Sequence, residues 1–133
     1  MAVAVDRRAI GRGAATYLAI AAPCGLLIAL VGGSDRTGHE STLWIVAALA
    51  IIVVAPLVAG GVAGARQSTP LVHGALAVGV PAAVFLAVRA VVGEVQGNLS
   101  GAEAVTFLLY LAVFTALGML GGYLGFRRRQ HLA

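Results

Sequence analysis

The residues of this 133-residue chain that could do chemistry are few and scattered. Histidine occurs at 39, 73 and 131, cysteine only at 24, and carboxylates only at Asp6, Asp35, Glu40, Glu94 and Glu103. The stretch SDRTGHES places Ser34, Asp35, His39 and Ser41 close together, the residue types of a nucleophile, a base and an orienting acid. Such a triad works only on a rigid, desolvated scaffold, and a short polar loop supplies none. Structural zinc needs four ligands converging on one point, whereas these histidines and Cys24 fall at different depths along the chain. No catalytic, cofactor-binding or metal-binding residue is therefore expected, and the chain does not read as an enzyme.

The other chemical candidate is GGVAGARQ, in which Gly60, Gly61 and Gly64 precede Arg66. A phosphate-cradling loop would follow a β-strand and open a helix, and a Walker loop needs Gly-Lys followed by Ser or Thr. These glycines instead close an apolar block, and the chain contains no lysine. The stretch reads as the end of a membrane helix meeting water.

The elements that must carry these residues follow from composition. Hydrophobic residues make up 60% of the chain and charged residues 11%, against about 25% charged in soluble domains. The apolar residues fall into four blocks, about 13–32, 42–65, 71–92 and 103–126, each near the roughly 20 residues that cross a bilayer. The expected fold is an all-α integral membrane domain of four transmembrane helices. The first block is too long for a signal-peptide core and lacks a cleavage site, so it reads as a retained anchor.

Nine arginines set the topology. Arg7, Arg8 and Arg12 precede the first helix, Arg66 follows the second, and Arg127, Arg128 and Arg129 follow the fourth. All seven lie on one side of a four-helix path, which puts both termini in the cytoplasm by the positive-inside rule. That distribution explains the net charge of +4 without nucleic acid, and it offers the cytoplasmic face to anionic lipids.

Small residues recur at helical spacing. Gly60 and Gly64, Gly118 and Gly122, and Gly121 and Gly125 each share a helix face, and Gly79 and Ala83 continue a stripe on the third helix. Such stripes permit close backbone approach, either among these helices or against a partner. Arg89 lies about a turn from the outer end of the third helix. It either snorkels to the headgroups or pairs with Glu94, Glu103 or a partner's carboxylate. His73 opens that helix at the inner interface, as a solvated, packing, proton-linked or partner-contacting residue. Tyr17 and Tyr110, with Thr16, Thr106 and Thr115, supply the few polar atoms inside the bundle, either lining a small cavity or, more commonly for such residues, hydrogen-bonding between helices, and Trp44 and Tyr123 are expected at the interfaces.

A shift of 61 residues lays APLVAGGVAGAR on ALGMLGGYLGFR, and Gly13, Ala21 and Ala29 on Gly74, Ala82 and Ala90. The chain therefore reads as two tandem helical hairpins in a parallel pseudo-repeat.

The double GG-x-x-G ending of helices two and four, with PLVHG opening helix three, resembles small actinobacterial four-helix membrane proteins of the drug/metabolite transporter type. It is also similar to the accessory membrane subunit of mycobacterial Mce lipid importers. Proton-coupled four-helix exporters carry a glutamate in their first helix, and here no acid occurs between Asp6 and Asp35. The resemblance thus implies a non-enzymatic accessory subunit of a larger inner-membrane permease, with lipid as cargo. A small transporter, a homodimer included, is the alternative.

Overall fold

The computed structural model describes residues 5–31, 45–97 and 100–131, and the side chains of 25 and 27–31 are not described. The SDRTGHES loop and Trp44 lie outside these residues. The described residues are helical, without strands: α1 (Arg7–Val31), α2 (Ile45–Gly64), α3 (Pro70–Val95) and α4 (Gly101–Gln130). Of these, α2, α3 and α4 are each long and apolar enough to cross a membrane, which makes this a membrane protein.

Each boundary has a local cause. Helix α1 starts six residues before the expected position 13, because Asp6 caps it: Oδ1 accepts the Arg8 N–H at 2.9 Å and the Ala9 N–H at 3.3 Å. Those bonds satisfy two of the donors that a helix start leaves orphaned. Helix α2 contains a π turn, Ala50–Val54, directly before its α-helical part Ala55–Gly64. Pro56 has no N–H to give to the preceding turn, and the wider π turn absorbs that loss. Helix α3 opens on Pro70, where a missing N–H costs nothing.

Helix α4 begins with a capping box, Ser100 Oγ accepting the Glu103 N–H at 3.2 Å and Glu103 Oε2 accepting the Ser100 N–H at 2.9 Å. It ends with Arg127, Arg128 and Arg129 inside its last turn, favourable against the negative end of the helix dipole. The connection expected over 93–102 is shorter than its polarity suggests, because α3 runs on to Val95 and α4 starts at Gly101. Gly97 carries the positive φ, 68°, that the turn requires.

The core is confined to one half of the bundle. Fully buried residues fall at 9–17 in α1, 55–64 in α2, 73–82 in α3 and 114–122 in α4. All four stretches lie at the end that carries Arg66 and Arg127–Arg129. In the opposite half no described residue of α2, α3 or α4 is buried. Helices α2 and α3 leave their tight turn in contact, yet the π turn of α2 no longer approaches α3 at the Cα level. The bundle is closed at its basic end and splayed at the other.

Glycine explains the closed end. A Cβ on Gly60 would strike the Gly118 carbonyl, and one on Gly64 would stand 2.6 Å from Gly122 Cα. From α3, a Cβ on Gly74 would also strike the Gly118 carbonyl. Three backbones thus meet where side chains would hold them apart. The α2–α4 contacts come in reciprocal pairs: Gly60 on Gly118 with Gly121 on Leu57, and Gly64 on Gly122 with Gly125 on Gly61. Each pair maps onto the other when positions 61 apart are exchanged. Helix α1 departs from that symmetry, since it lies against α2 and α3 and not, at the Cα level, against α4.

Candidate functional site

Two places gather polar or unusual side chains, one at each end of the bundle. At the basic end, His73 is fully buried. Its Nδ1 lies 2.9 Å from the Thr69 carbonyl, and its Nε2 accepts the Asp6 N–H at 3.0 Å. A backbone N–H can only donate, so Nε2 must be the acceptor and Nδ1 carries the proton. Gln67 Nε2 donates to Asp6 Oδ2 at 3.1 Å. The start of α1, the 65–69 turn and the first turn of α3 are thereby latched together. The backbone N–H groups of Arg8 and Ala9, then Gln67 and the nearby Arg12, hold the Asp6 carboxyl below its ordinary range. His73 is thus a buried structural group and not a solvated interface residue. Its burial follows from the six residues that α1 gains before its apolar block, which lay Asp6 over it.

Beside the latch, Arg66 and Arg129 line one side of an open cleft of about 670 Å³ that also includes Gln67, Phe126 and Gln130. Two of the arginines at this end thereby share a single basic surface. Among the described residues no group of three His, Cys, Asp or Glu side chains is placed to hold a metal.

In the splayed half, α2, α3 and α4 enclose an apolar cleft of about 290 Å³. Ile51 and Ile52 of the π turn form one wall, and Phe85 and Arg89 of α3 form another. Phe107, Tyr110 and Phe114 of α4 complete it, recurring at the three- and four-residue spacing that shares one helix face. Tyr110 stacks on Phe114 with centroids 6.1 Å apart, and Tyr17 of α1 meets Phe114 edge-on at 6.4 Å. Phe114, buried, thus seals the cleft against the core below.

Arg89 sits at the cleft's outer rim. Six residues separate it from Val95, about 9 Å along the helix. The Glu103 carboxylate is occupied in its capping box, and among the described residues Arg89 donates no side-chain hydrogen bond. Glu94 is exposed on the same helix.

The remaining sequence expectations sort by location. Gly60, Gly64, Gly118, Gly121, Gly122 and Gly125 all face other helices of this chain. Gly79 faces Thr115, whose Oγ1 would be 3.1 Å from an added Cβ, and Ala83 is half-buried. The threonines do not bond between helices: Thr16, Thr106 and Thr115 donate to the carbonyls of Arg12, Ala102 and Leu111, one turn back in their own helices. In an apolar surround the nearest carbonyl satisfies the hydroxyl with no loss of packing. Sequence reasoning missed Asp6, Gln67 and Thr69, because a latch across three elements has no local signature. It also missed the Phe107, Tyr110, Phe114 spacing, which was legible.

No protein family, no curated protein and no solved structure matches this chain.

Proposed function

We propose that the chain is a multi-pass inner-membrane protein with four spans, α1 included, and with its basic end in the cytoplasm. The 25 residues of α1 would cover about 37 Å, enough to cross, and seven arginines gathered at one end support the orientation. The exchange of α2–α4 contacts across 61 positions supports a duplicated hairpin.

Within that frame the chain acts as a non-enzymatic accessory subunit that packs against a helix of a larger transport complex. The observation that carries this reading is a valine stripe. Val84, Val88, Val91 and Val95 recur along one face of α3 in the splayed half, Val80 continues that face toward the closed end, and each is more than half exposed. β-Branched side chains lose little rotamer freedom when a partner covers them, so such a face is suited to a protein partner as well as to lipid. The small-residue faces do not serve this role in the reading, since they are already engaged within the chain. Lipid import of the Mce type remains the proposed cargo on resemblance alone. A small homo-oligomeric transporter would need a route past the basic end, where glycine contacts bring three backbones together.

Purification in mild detergent followed by mass spectrometry tests the reading. Permease subunits should copurify in fixed ratio, and Val84→Trp with Val88→Trp should release them while leaving the monomer folded. Recovery of the wild type only as a homodimer, or transport by the pure protein in liposomes, would count against it.

A further inference from the structure

We propose that the cleft between α2, α3 and α4 holds an anionic phospholipid, one acyl chain lying among the aromatic rings and the phosphate on Arg89. This site is at the opposite end from the cytoplasmic arginines and does not depend on the partner reading above. Four observations converge on it.

The first is the vertical order of the lining. Arg89 is outermost on α3, and Phe85 lies one turn, about 6 Å, deeper. On α4 the deepest member, Phe114, is buried and seals the cleft. A charged mouth over an apolar blind end is complementary to an amphiphile entering head outward.

The second is charge. Arg89 is exposed, and its backbone is about 9 Å short of the helix end, a depth from which a long side chain can reach the headgroups. A cation there is costly unless it snorkels or meets an anion. Glu103, the acid at the start of α4, is already committed to its cap. A lipid phosphate is the anion that the membrane itself supplies at that depth, and an arginine fork matches it.

The third is size. At about 290 Å³ the cleft lies at the bottom of the range for small-molecule sites. A helix with side chains is 10–12 Å across and does not fit, whereas the slim end of a single acyl chain does, the rest of the chain lying in the bilayer. The fourth is the π turn. Ala50–Val54 carries the wall residues Ile51 and Ile52, in the segment of α2 that stands away from α3. Local π turns inside α-helices concentrate at functional sites, and here the turn lies at the place where the cleft opens.

Photoreactive acyl-chain phosphatidylglycerol and phosphatidylcholine, added to the wild type in mixed-lipid nanodiscs, test the site by mapping the labelled peptides. Phosphatidylglycerol should label the peptides bearing Ile51, Phe85 and Phe107 about tenfold more than phosphatidylcholine does, because the choline ammonium offsets the charge of its phosphate whereas the glycerol headgroup leaves that charge to Arg89. Arg89→Gln should bring the two lipids to parity, Arg89→Lys should retain most of the preference, and Ala48→Phe, which fills the cleft from its α2 wall, should reduce labelling by both. Replacing Arg127, Arg128 and Arg129 with Gln should leave the pattern unchanged. Equal labelling of the wild type by the two lipids, labelling spread along all exposed helix faces, or a preference that survives Arg89→Gln would overturn the proposal. So would exclusion of both lipids by a copurifying protein helix. Should Arg89→Gln fail to fold, the wild-type labelling map and the Arg89→Lys ratio decide the question.

Discussion

Replacing Gly118 with Ala adds one methyl group at the point where α2, α3 and α4 meet. The new Cβ would stand 2.6 Å from the Gly74 carbonyl oxygen and 2.9 Å from Val78 Cγ2. Ordinary contact begins at 3.4 Å, so the shortfall at the carbonyl is 0.8 Å. Val78 is fully buried and held by its β-branch to one rotamer, and the Gly74 carbonyl is helix backbone, so neither can turn aside and α3 and α4 must separate. A gap of about 0.5–1 Å forfeits a quarter to a half of each dispersion contact across it, and the same movement loosens Gly74 on Gly122. Overpacking of this kind costs about 1–3 kcal/mol, offset by up to about 1 kcal/mol from the better helix propensity of alanine. The net expectation is a loss of about 1–2 kcal/mol.

Gly11 supplies the control. An added Cβ there has nothing within 4 Å, so Gly11→Ala brings only the propensity gain of about 0.5–1 kcal/mol. Gly79→Ala falls between, because its neighbour is the Thr115 side chain at 3.1 Å. Reversible unfolding in mixed detergent micelles, followed by circular dichroism, should rank the variants Gly11→Ala, Gly79→Ala, Gly118→Ala in falling stability. If Gly118→Ala proves as benign as Gly11→Ala, the backbones are not in contact there and the closed end of the bundle is wrong.

The latch and the caps make further expectations. Asp6 has its carboxyl held below the ordinary value, first by the Arg8 and Ala9 N–H groups. The charged form therefore stabilises the fold above the unfolded pKa of about 3.9, and that contribution is lost as pH falls through the lower folded value. Protection factors at the first turn of α1, taken relative to intrinsic exchange at each pH, should fall below about pH 4, and Asp6→Asn, which keeps an accepting oxygen, should hold them level. His73→Ala empties a fully buried site and leaves the Asp6 N–H without its acceptor, so it should cost about 2–4 kcal/mol in the same unfolding assay. Ser100→Ala removes one half of the capping box and should cost about 1 kcal/mol, with faster exchange confined to the first turn of α4.

Some of this was legible in the chain. The 18 glycines and the apolar blocks announce membrane helices with close-approach faces, and the Gly60 and Gly64 spacing places two glycines on one side. Whether that side meets another helix of the same chain is a question of who lies opposite, and periodicity carries no such information. The first helix shows the same limit. Its apolar run marks 13–32, yet the helix begins at Arg7, because a cap acts from outside the run it terminates. Arg89 was visible as an ionisable residue within a span, but its setting among Phe85, Phe107 and Tyr110 was not. Those rings come from two helices whose relative rotation is set by Gly74, Gly118 and Gly122, at the other end of the same helices.

Composition and the period of the apolar blocks were sufficient to determine that these are membrane helices, because a bilayer excludes charge and unsatisfied backbone whatever the tertiary arrangement. The tertiary structure alone decided that the helices close at the basic end and part at the other. Closing depends on glycine meeting glycine across helices, a relation between residues far apart in the chain, and parting accompanies a π turn in α2 whose direction relative to α3 no local pattern records.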